Sequence, residues 1–356
     1  MRNNPPTIGQ TYINALGCAA PETKVTQSQA IDFLTRHYGS RLTARSLGLI
    51  QKIVGHPSIK ERHLALPDLD VLVEESTDQR VARFTTEAVK LASRAVRQAL
   101  DKASCLTNDI ASLVVNTCTG YICPGLSTYL AEELRLQPKA KLYDLVGSGC
   151  GGAIPNLQVA ESLLTKDDGG VVVSIAVEIC SATFQMGNEM SLIVSNALFG
   201  DGAAAAVLSR RARGWRMVHS ASRTSPKHRE AVRYIHKNGE LHNQLGKEVP
   251  ELAAAIVPEV IRDLLSSCRV THRDVEYWAL HPGGDRVITA LQKAIGLTDS
   301  QLIPTRRILR DFGNMSSPTV WFILQEAEDI ATPAAYCLMG AFGAGFSAHA
   351  CLLQRC

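Results

Sequence analysis

Three stretches of this chain are too uniformly apolar to be strands with one wet face, and they limit the folds open to it. They read "IASLVVNTCTG", "GGVVVSIAVEICS" and "AAYCLMGAFGAGFSAHACLL". A strand with two apolar faces must be covered on both, which parallel or mixed sheets achieve with helical crossovers. Helix-like segments do separate the runs. In "DQRVARFTTEAVKLASRAVRQALDKA", Ala88, Leu91, Ala92, Ala95 and Leu100 form one apolar stripe at helical spacing. The expected class is α/β, with mixed sheets enclosed by helices.

The second half repeats the logic of the first. "LVGSGCGGAIPNLQVAESLL" and "DFGNMSSPTVWFILQEAED" each set a small-residue turn directly before an amphipathic helix. A duplicated architecture would bring those two helix starts together at one site. The division falls at 1–210 and 211–356, the cysteine turn in the first half and the asparagine turn in the second. Residues 210–250, rich in Arg, His and Lys and poor in apolar runs, read as a surface excursion between the halves.

Composition closes off other classes. At 356 residues with a net charge of +3, the chain can bury a large core and lacks the basic excess of a nucleic-acid binder. Its first residues hold no apolar leader core, and no stretch reaches transmembrane length without charge, so the expectation is a cytoplasmic protein without stable membrane insertion. The ten cysteines show no CxxC pair and no grouping with histidines, so no metal site is expected.

One of those cysteines is singular in its setting. Cys150 lies between glycine pairs where a helix should begin, so backbone N–H groups and the helix dipole would favour a thiolate, and the glycines would let a substrate reach it. A buried core cysteine in a tight turn is the bland alternative. His281 ends the strand "VEYWAL" and opens "HPGG", aimed beyond the sheet, where it could serve a thiolate or a carbonyl oxygen, or merely cap the strand. Asn314 in "DFGNMSS" could donate to an oxyanion, or hydrogen-bond its own turn.

Together the three specify a chemistry that none carries alone. A cysteine can hold an acyl group as a thioester while histidine and asparagine stabilise charge on a second thioester losing CO2. The carbanion then attacks the cysteine-bound acyl carbon. A Cys–His–Asn protease uses the same residue types, but a duplicated, sheet-rich body with the cysteine in mid-chain fits it poorly.

The motifs "GSGCGG", "LFGDGAAAA", "HPGG", "GNMSS" and "GAFGAGFS" run through nearly the whole chain in order. In them the sequence resembles the chalcone and stilbene synthase superfamily, the type III polyketide synthases of thiolase-like fold. The resemblance implies duplicated αβαβα halves. It implies that Cys150 carries the acyl chain, that His281 and Asn314 support decarboxylation of malonyl-CoA, and that Phe199 stands as gatekeeper between a coenzyme A tunnel and the cavity. It places Thr119, Cys123, Cys180, Thr183 and Ser316 along the substrate pocket. Around "LIQKIVGHPSIKERH" it implies coenzyme A contacts at Lys52 and His56, although His56 and Leu49 stand where plant members carry cations. Lys60 and Arg62 read equally well as surface residues.

No bound cofactor is implied; malonyl-CoA and acyl-CoA are substrates, and the functional form would be a homodimer. The cysteine-lined pocket favours a fatty acyl starter and alkylpyrone or alkylresorcinol products. A single-step β-ketoacyl-ACP synthase of the initiating type is the nearest alternative, although its histidine frame is closer to "HQAN" than to "HPGG". A hydroxymethylglutaryl-CoA synthase would need an acid–base glutamate near the cysteine, for which no motif is evident. A non-catalytic thiolase-fold subunit is the alternative from another class.

Overall fold

A computed structural model of the chain describes residues 9–164, 170–328 and 330–356. Residues 1–8, part of the segment read above for an apolar leader core, lie outside the described residues.

Thirteen strands are described. They are β1 (Tyr12–Ala19), β2 (Lys24–Thr26), β3 (Glu61–His63), β4 (Ile110–Thr117), β5 (Lys141–Val146), β6 (Val171–Glu178), β7 (Gly202–Ser209), β8 (Trp215–Thr224), β9 (Val232–Lys237), β10 (Glu240–Leu245), β11 (Val275–Leu280), β12 (Tyr336–Gly343) and β13 (Ser347–Arg355). Nine of them hydrogen-bond in the order β11-β12-β13-β8-β1-β7-β6-β4-β5. The duplication shows in that order. Outward from β1 the pairings are antiparallel to β7, antiparallel to β6 and parallel to β4; outward from β8 they are antiparallel to β13, antiparallel to β12 and parallel to β11. β5 extends the first half as a parallel edge strand. The halves join where β1 meets β8 through Tyr12 with Arg216 and Ile13 with Trp215.

Both runs "VVVSIAVE" and "GAAAAVLS" are buried at every position, as strands covered on both faces must be. On the outer face of the first half lies the helix Thr77–Ala103, whose predicted stripe is fully inside. Its start is fixed by Ser76, whose side chain accepts from the Gln79 N–H while the Gln79 side chain accepts from the Ser76 N–H. Such a capping box is worth about 1 kcal/mol. The helix Val249–Cys268 covers the second half in the same way, packing on β8 and β13. Between the halves lie the helices Ala153–Leu163 and Thr319–Glu328, each touching strands of both. Ile154, Leu157, Trp321 and Leu324 from this middle layer share one core with Leu16, Ala279 and Met339. Complete burial of side chains of this size contributes about 1.5–3 kcal/mol each. The five layers are the thiolase-like αβαβα arrangement.

Two expectations need correction. The closing apolar run is two antiparallel strands rather than one, because Gly345 at φ +72 and Phe346 at φ 44 reverse the chain between β12 and β13. Residues 210–250 are no surface excursion. They contain β8, which joins the halves, and the β9–β10 hairpin, which walls a cavity. Only part of their polarity belongs to the cavity, at Arg233, Tyr234, His236 and Asn243; Arg211, Arg213, Arg223, Lys227 and Arg229 do face solvent.

Candidate active site

Corresponding strand ends of the two halves converge at the cysteine. The chain leaves β5 through Gly147, makes one tight turn over Gly149–Gly151 and enters the helix capped at Gly152, with Cys150 in the turn. The end of β12 lies against this turn. A Cβ on Gly343 would sit 2.4 Å from both Gly151 N and Ser148 O and 3.0 Å from Cys150 N. Only glycine permits that approach. Phe342, the residue before it, meets the His281 ring edge-on with centroids 5.6 Å apart. One segment of β12 therefore touches both the cysteine turn and the histidine.

His281 directly follows β11, and its N–H donates to Gly340 O on β12 at 2.8 Å. Gly283, at φ +61, lets the chain turn sharply into the helix Asp285–Ile295. The imidazole is buried, and neither ring nitrogen has a hydrogen-bond partner among the described residues. Loss of solvent pushes its pKa down to about 3, so the ring is neutral.

Asn314 ties the histidine turn to the segment at Phe199. Its Nδ2 donates to Gly283 O at 3.1 Å, its Oδ1 accepts from Ser316 N at 2.8 Å, and its backbone bridges in parallel to Phe199. Ser316 continues the path. Its hydroxyl lies 3.5 Å from Cys118 Sγ and 3.3 Å from Glu178 Oε1, lines the same cavity as Cys150 and favours the ionised form of the Cys150 thiol. Cys150, Asn314, Ser316 and the His281 turn are thus brought into one connected group.

The helix start does not make Cys150 a thiolate. Burial is the largest influence and pushes the thiol up to about 12, with the Glu178 carboxylate adding to it, while the Ser316 hydroxyl opposes. The expected stabilisation by backbone N–H groups is present but smaller than desolvation.

A cavity of about 650 Å³ opens at Cys150 and Ser316, while His281 and Asn314 stand behind its wall and are not among its lining residues. Of the residues expected on its wall, Cys150, Phe199, Thr119 and Ser316 line it. Cys180 and Thr183 line a smaller apolar pocket of about 50 Å³ beyond, which shares Phe199 with the main cavity. Cys123 does not reach either one. It is exposed, because the loop leaving β4 faces the cavity only as far as Tyr121 and then turns outward. Lys52 and His56 are exposed as well, with His56 Nδ1 paired to Ser58 Oγ at 2.9 Å. Lys60 is a surface residue, but Arg62 is not. It is buried, with a guanidinium N–H donating to Asn196 O, and the Asp201 carboxylate partly counters a burial that lowers its pKa to about 10.

Sequence reasoning passed over Glu178. This fully buried carboxylate ends β6 and accepts from Cys118 N at 2.9 Å, Thr119 Oγ1 at 2.9 Å and Ser317 Oγ at 2.9 Å. It knots the β4 end of the first half to the asparagine turn of the second. The available signal was a single charge closing the eight-residue run "VVVSIAVE". Cys118, Tyr234, Gln185 and Asn243 also line the cavity without having been singled out for it.

Known proteins share this fold and much of this sequence pattern. The family model described as "Chalcone and stilbene synthases, N-terminal domain" matches residues 1–211, and its C-terminal counterpart matches 217–355. The chain is 29% identical to the 3,5-dihydroxyphenylacetyl-CoA synthase of Streptomyces toyocaensis, over 98% of this chain and 91% of that protein. It is 26% identical to the phloroglucinol synthase of Pseudomonas fluorescens, over 92% and 95% respectively. In fold it matches the 1,3,6,8-tetrahydroxynaphthalene synthase of Streptomyces coelicolor with a TM-score of 0.89 at 23% identity, covering 98% of this chain and 99% of that one. A polyketide synthase of the brown alga Ectocarpus siliculosus gives 0.90 at 24% identity, over 99% and 100%. With both family models matched end to end and the layered halves in place, the chain belongs to the chalcone and stilbene synthases, condensing acyltransferases that join coenzyme A thioesters by Claisen chemistry.

Proposed function

We propose that the protein is an iterative polyketide synthase in which Cys150 carries the chain and His281 and Asn314 generate the nucleophile. The observation that carries this reading is the meeting of the cysteine turn, the histidine turn and Asn314 around Phe342, Gly343 and Ser316. In the free protein both thiol and imidazole are neutral. Attack on the starter thioester therefore goes with passage of the Sγ proton to His281. An S–C bond forms to the acyl carbon, the bond to coenzyme A breaks, and the departing thiolate takes the proton from the imidazolium.

Malonyl-CoA then places its thioester oxygen at Asn314 Nδ2 and His281, the C–C bond to its carboxylate breaks, and CO2 leaves. The enolate attacks the Cys150-bound acyl carbon and expels the Cys150 thiolate. The product is a β-ketoacyl-CoA two carbons longer, which reloads for another round. Half-buried Phe199 at the cavity edge helps exclude water, which destabilises the malonyl carboxylate before its loss.

For the starter, a short acyl group or malonyl itself fits better than a fatty chain. The apolar pocket behind Phe199 measures only about 50 Å³, so a fatty chain would have to lie in the main cavity beside the polar hairpin residues Tyr234 and Asn243. The curated relatives bear the names of hydroxylated aromatic products. The fatty acyl reading, with alkylpyrones or alkylresorcinols, rests on Cys180, a small side chain on the wall of that pocket. Within the same reading, residues 1–210 and 211–356 act as the two halves, and the exposed Lys52 and His56 take the coenzyme A phosphates. A homodimer covers the exposed Tyr121 and Val146 at the cavity rim.

The test is mass spectrometry of products from malonyl-CoA with short, long and aromatic acyl-CoA starters, beside a Cys150→Ala control. Multiply extended products that require Cys150 are expected. A single β-ketoacyl product formed only with acyl carrier protein would move the chain to the initiating condensing enzymes, and no acylation of Cys150 would point to a non-catalytic subunit.

A further inference from the structure

One wall of the cavity is built for oxygen rather than hydrocarbon. The β9–β10 hairpin turns Tyr234 and its cross-strand partner Asn243 towards the cavity. The segment after β6 brings Thr183 and Gln185 to the same region. The Tyr234 and Thr183 hydroxyls are 3.2 Å apart, and Thr183 Oγ1 donates to Cys180 O at 2.9 Å, which leaves the tyrosine as donor to the threonine. Those two groups satisfy each other.

Gln185 and Asn243 are different. Both line the main cavity and the side pocket, at the boundary formed with Phe199. The backbone around Gln185 is held in place, with Gln185 O accepting from Asn196 Nδ2 at 2.9 Å and Phe184 O from Arg80 Nη1 at 3.0 Å. Yet Gln185 Nε2 and Asn243 Oδ1 are buried without a hydrogen-bond partner among the described residues. A buried polar group left unpaired costs about 1–3 kcal/mol, and native proteins keep few of them. Here one is a donor and the other an acceptor, and both belong to residues that line the space a substrate enters.

A saturated acyl chain offers neither partner. A chain with repeated 1,3-dicarbonyl units offers both, since a ketone oxygen accepts from Gln185 Nε2 and an enol hydroxyl donates to Asn243 Oδ1. We propose that Gln185 and Asn243 read the keto and enol oxygens of the growing chain, and so determine specificity for oxygenated over saturated acyl groups. This rests on the polyketide reading above. It makes them specificity residues, distinct from the Cys150, His281 and Asn314 group.

The test compares hexanoyl-CoA with 3-oxo- and 5-oxohexanoyl-CoA as starters, using malonyl-CoA as extender and reading kcat/KM for the first condensation. The wild-type enzyme is expected to favour at least one keto starter about tenfold, the loss typical of a missing neutral hydrogen bond. Gln185→Met and Asn243→Leu, which keep volume and remove the polar groups, are expected to shrink that ratio to within about twofold while leaving malonyl-CoA decarboxylation unchanged. Equal kcat/KM for all three starters in the wild type would overturn the proposal even if neither variant folds. So would a preference that survives both substitutions. Absence of condensation with every starter would instead overturn the polyketide reading itself.

Discussion

The two helix-start turns occupy equivalent places in the duplicated fold and have become chemically unlike. In the first half the turn before Ala153–Leu163 holds a thiol; in the second the turn before Thr319–Glu328 holds Asn314 and two serines. The strand ends diverge in the same sense. β11 runs into His281 where the equivalent β4 ends in Thr117 and Cys118, and β12 ends in Gly343 where β6 ends in Glu178. A duplicated frame supplies two sets of positions, and in the proposed mechanism one serves the acyl carrier and the other charge stabilisation. The Gly343 vacancy is as informative as any side chain, because it is what admits the cysteine turn.

The division predicts that the two tasks come apart. Cys150→Ala is expected to lower condensation by at least about 10⁴-fold while malonyl-CoA decarboxylation, which the proposed mechanism assigns to the second half, continues. Product mass spectrometry and CO2 release from labelled malonyl-CoA measure the two separately. Equal loss of both would erase the distinction between the halves.

The converse change is expected to be smaller and to fall on the other task. Asn314→Ala removes one donor from the malonyl thioester oxygen and is expected to slow decarboxylation by about 10²–10³-fold. Acylation of Cys150 by a starter, followed as a mass increase on the intact protein, should persist. Because Asn314 Oδ1 also accepts from Ser316 N, a melting measurement accompanies the kinetics to separate chemistry from folding.

At the strand ends the effect is on packing. Gly343→Ala would place a methyl group against Gly151 N and Ser148 O at 2.4 Å. Backbone atoms cannot rotate away, so a loss of about 1–3 kcal/mol is expected, together with lowered Cys150 acylation as the turn is displaced. Unchanged melting and acylation would show that the two segments have slack between them.

What could be read from the chain beforehand follows from these same features. The apolar runs and the Ala88 to Leu100 stripe show burial directly, so layers and duplication were legible. Cys150, His281 and Asn314 stood out because glycines and prolines punctuate them. Glu178 was hidden because its meaning depends on Thr119, Ser316 and Ser317, which arrive from distant segments. Tyr234 and Asn243 were hidden because polar residues facing a cavity look the same in sequence as polar residues facing solvent. Arg62 was misplaced for the opposite reason, since its partners Asn196 and Asp201 enclose it only in the folded chain. The pKa of Cys150 followed from burial, which a helix-start motif does not encode.

The smallest predicted effect concerns two buried histidines, His281 after β11 and His349 on β13. His281 has no hydrogen-bond partner among the described residues, and burial lowers its pKa to about 3. His349 on β13 is close to Gly151, is bonded to Ser222 Oγ at 2.8 Å and Ser347 Oγ at 3.0 Å, and is lowered by burial to about 4. Both values lie below the ordinary histidine pKa of about 6.5. As pH falls from there the unfolded chain gains protons that the folded chain refuses, so stability is full above about 6.5 and declines through about 4 and then about 3. His349→Gln, an uncharged side chain with hydrogen-bonding groups for the two serines, is expected to remove part of this acid slope. His281→Gln is expected to remove a comparable part and to abolish decarboxylation as well. Melting temperature against pH for the three proteins checks this, and an unchanged slope in both variants would mean that neither histidine resists protonation in the fold.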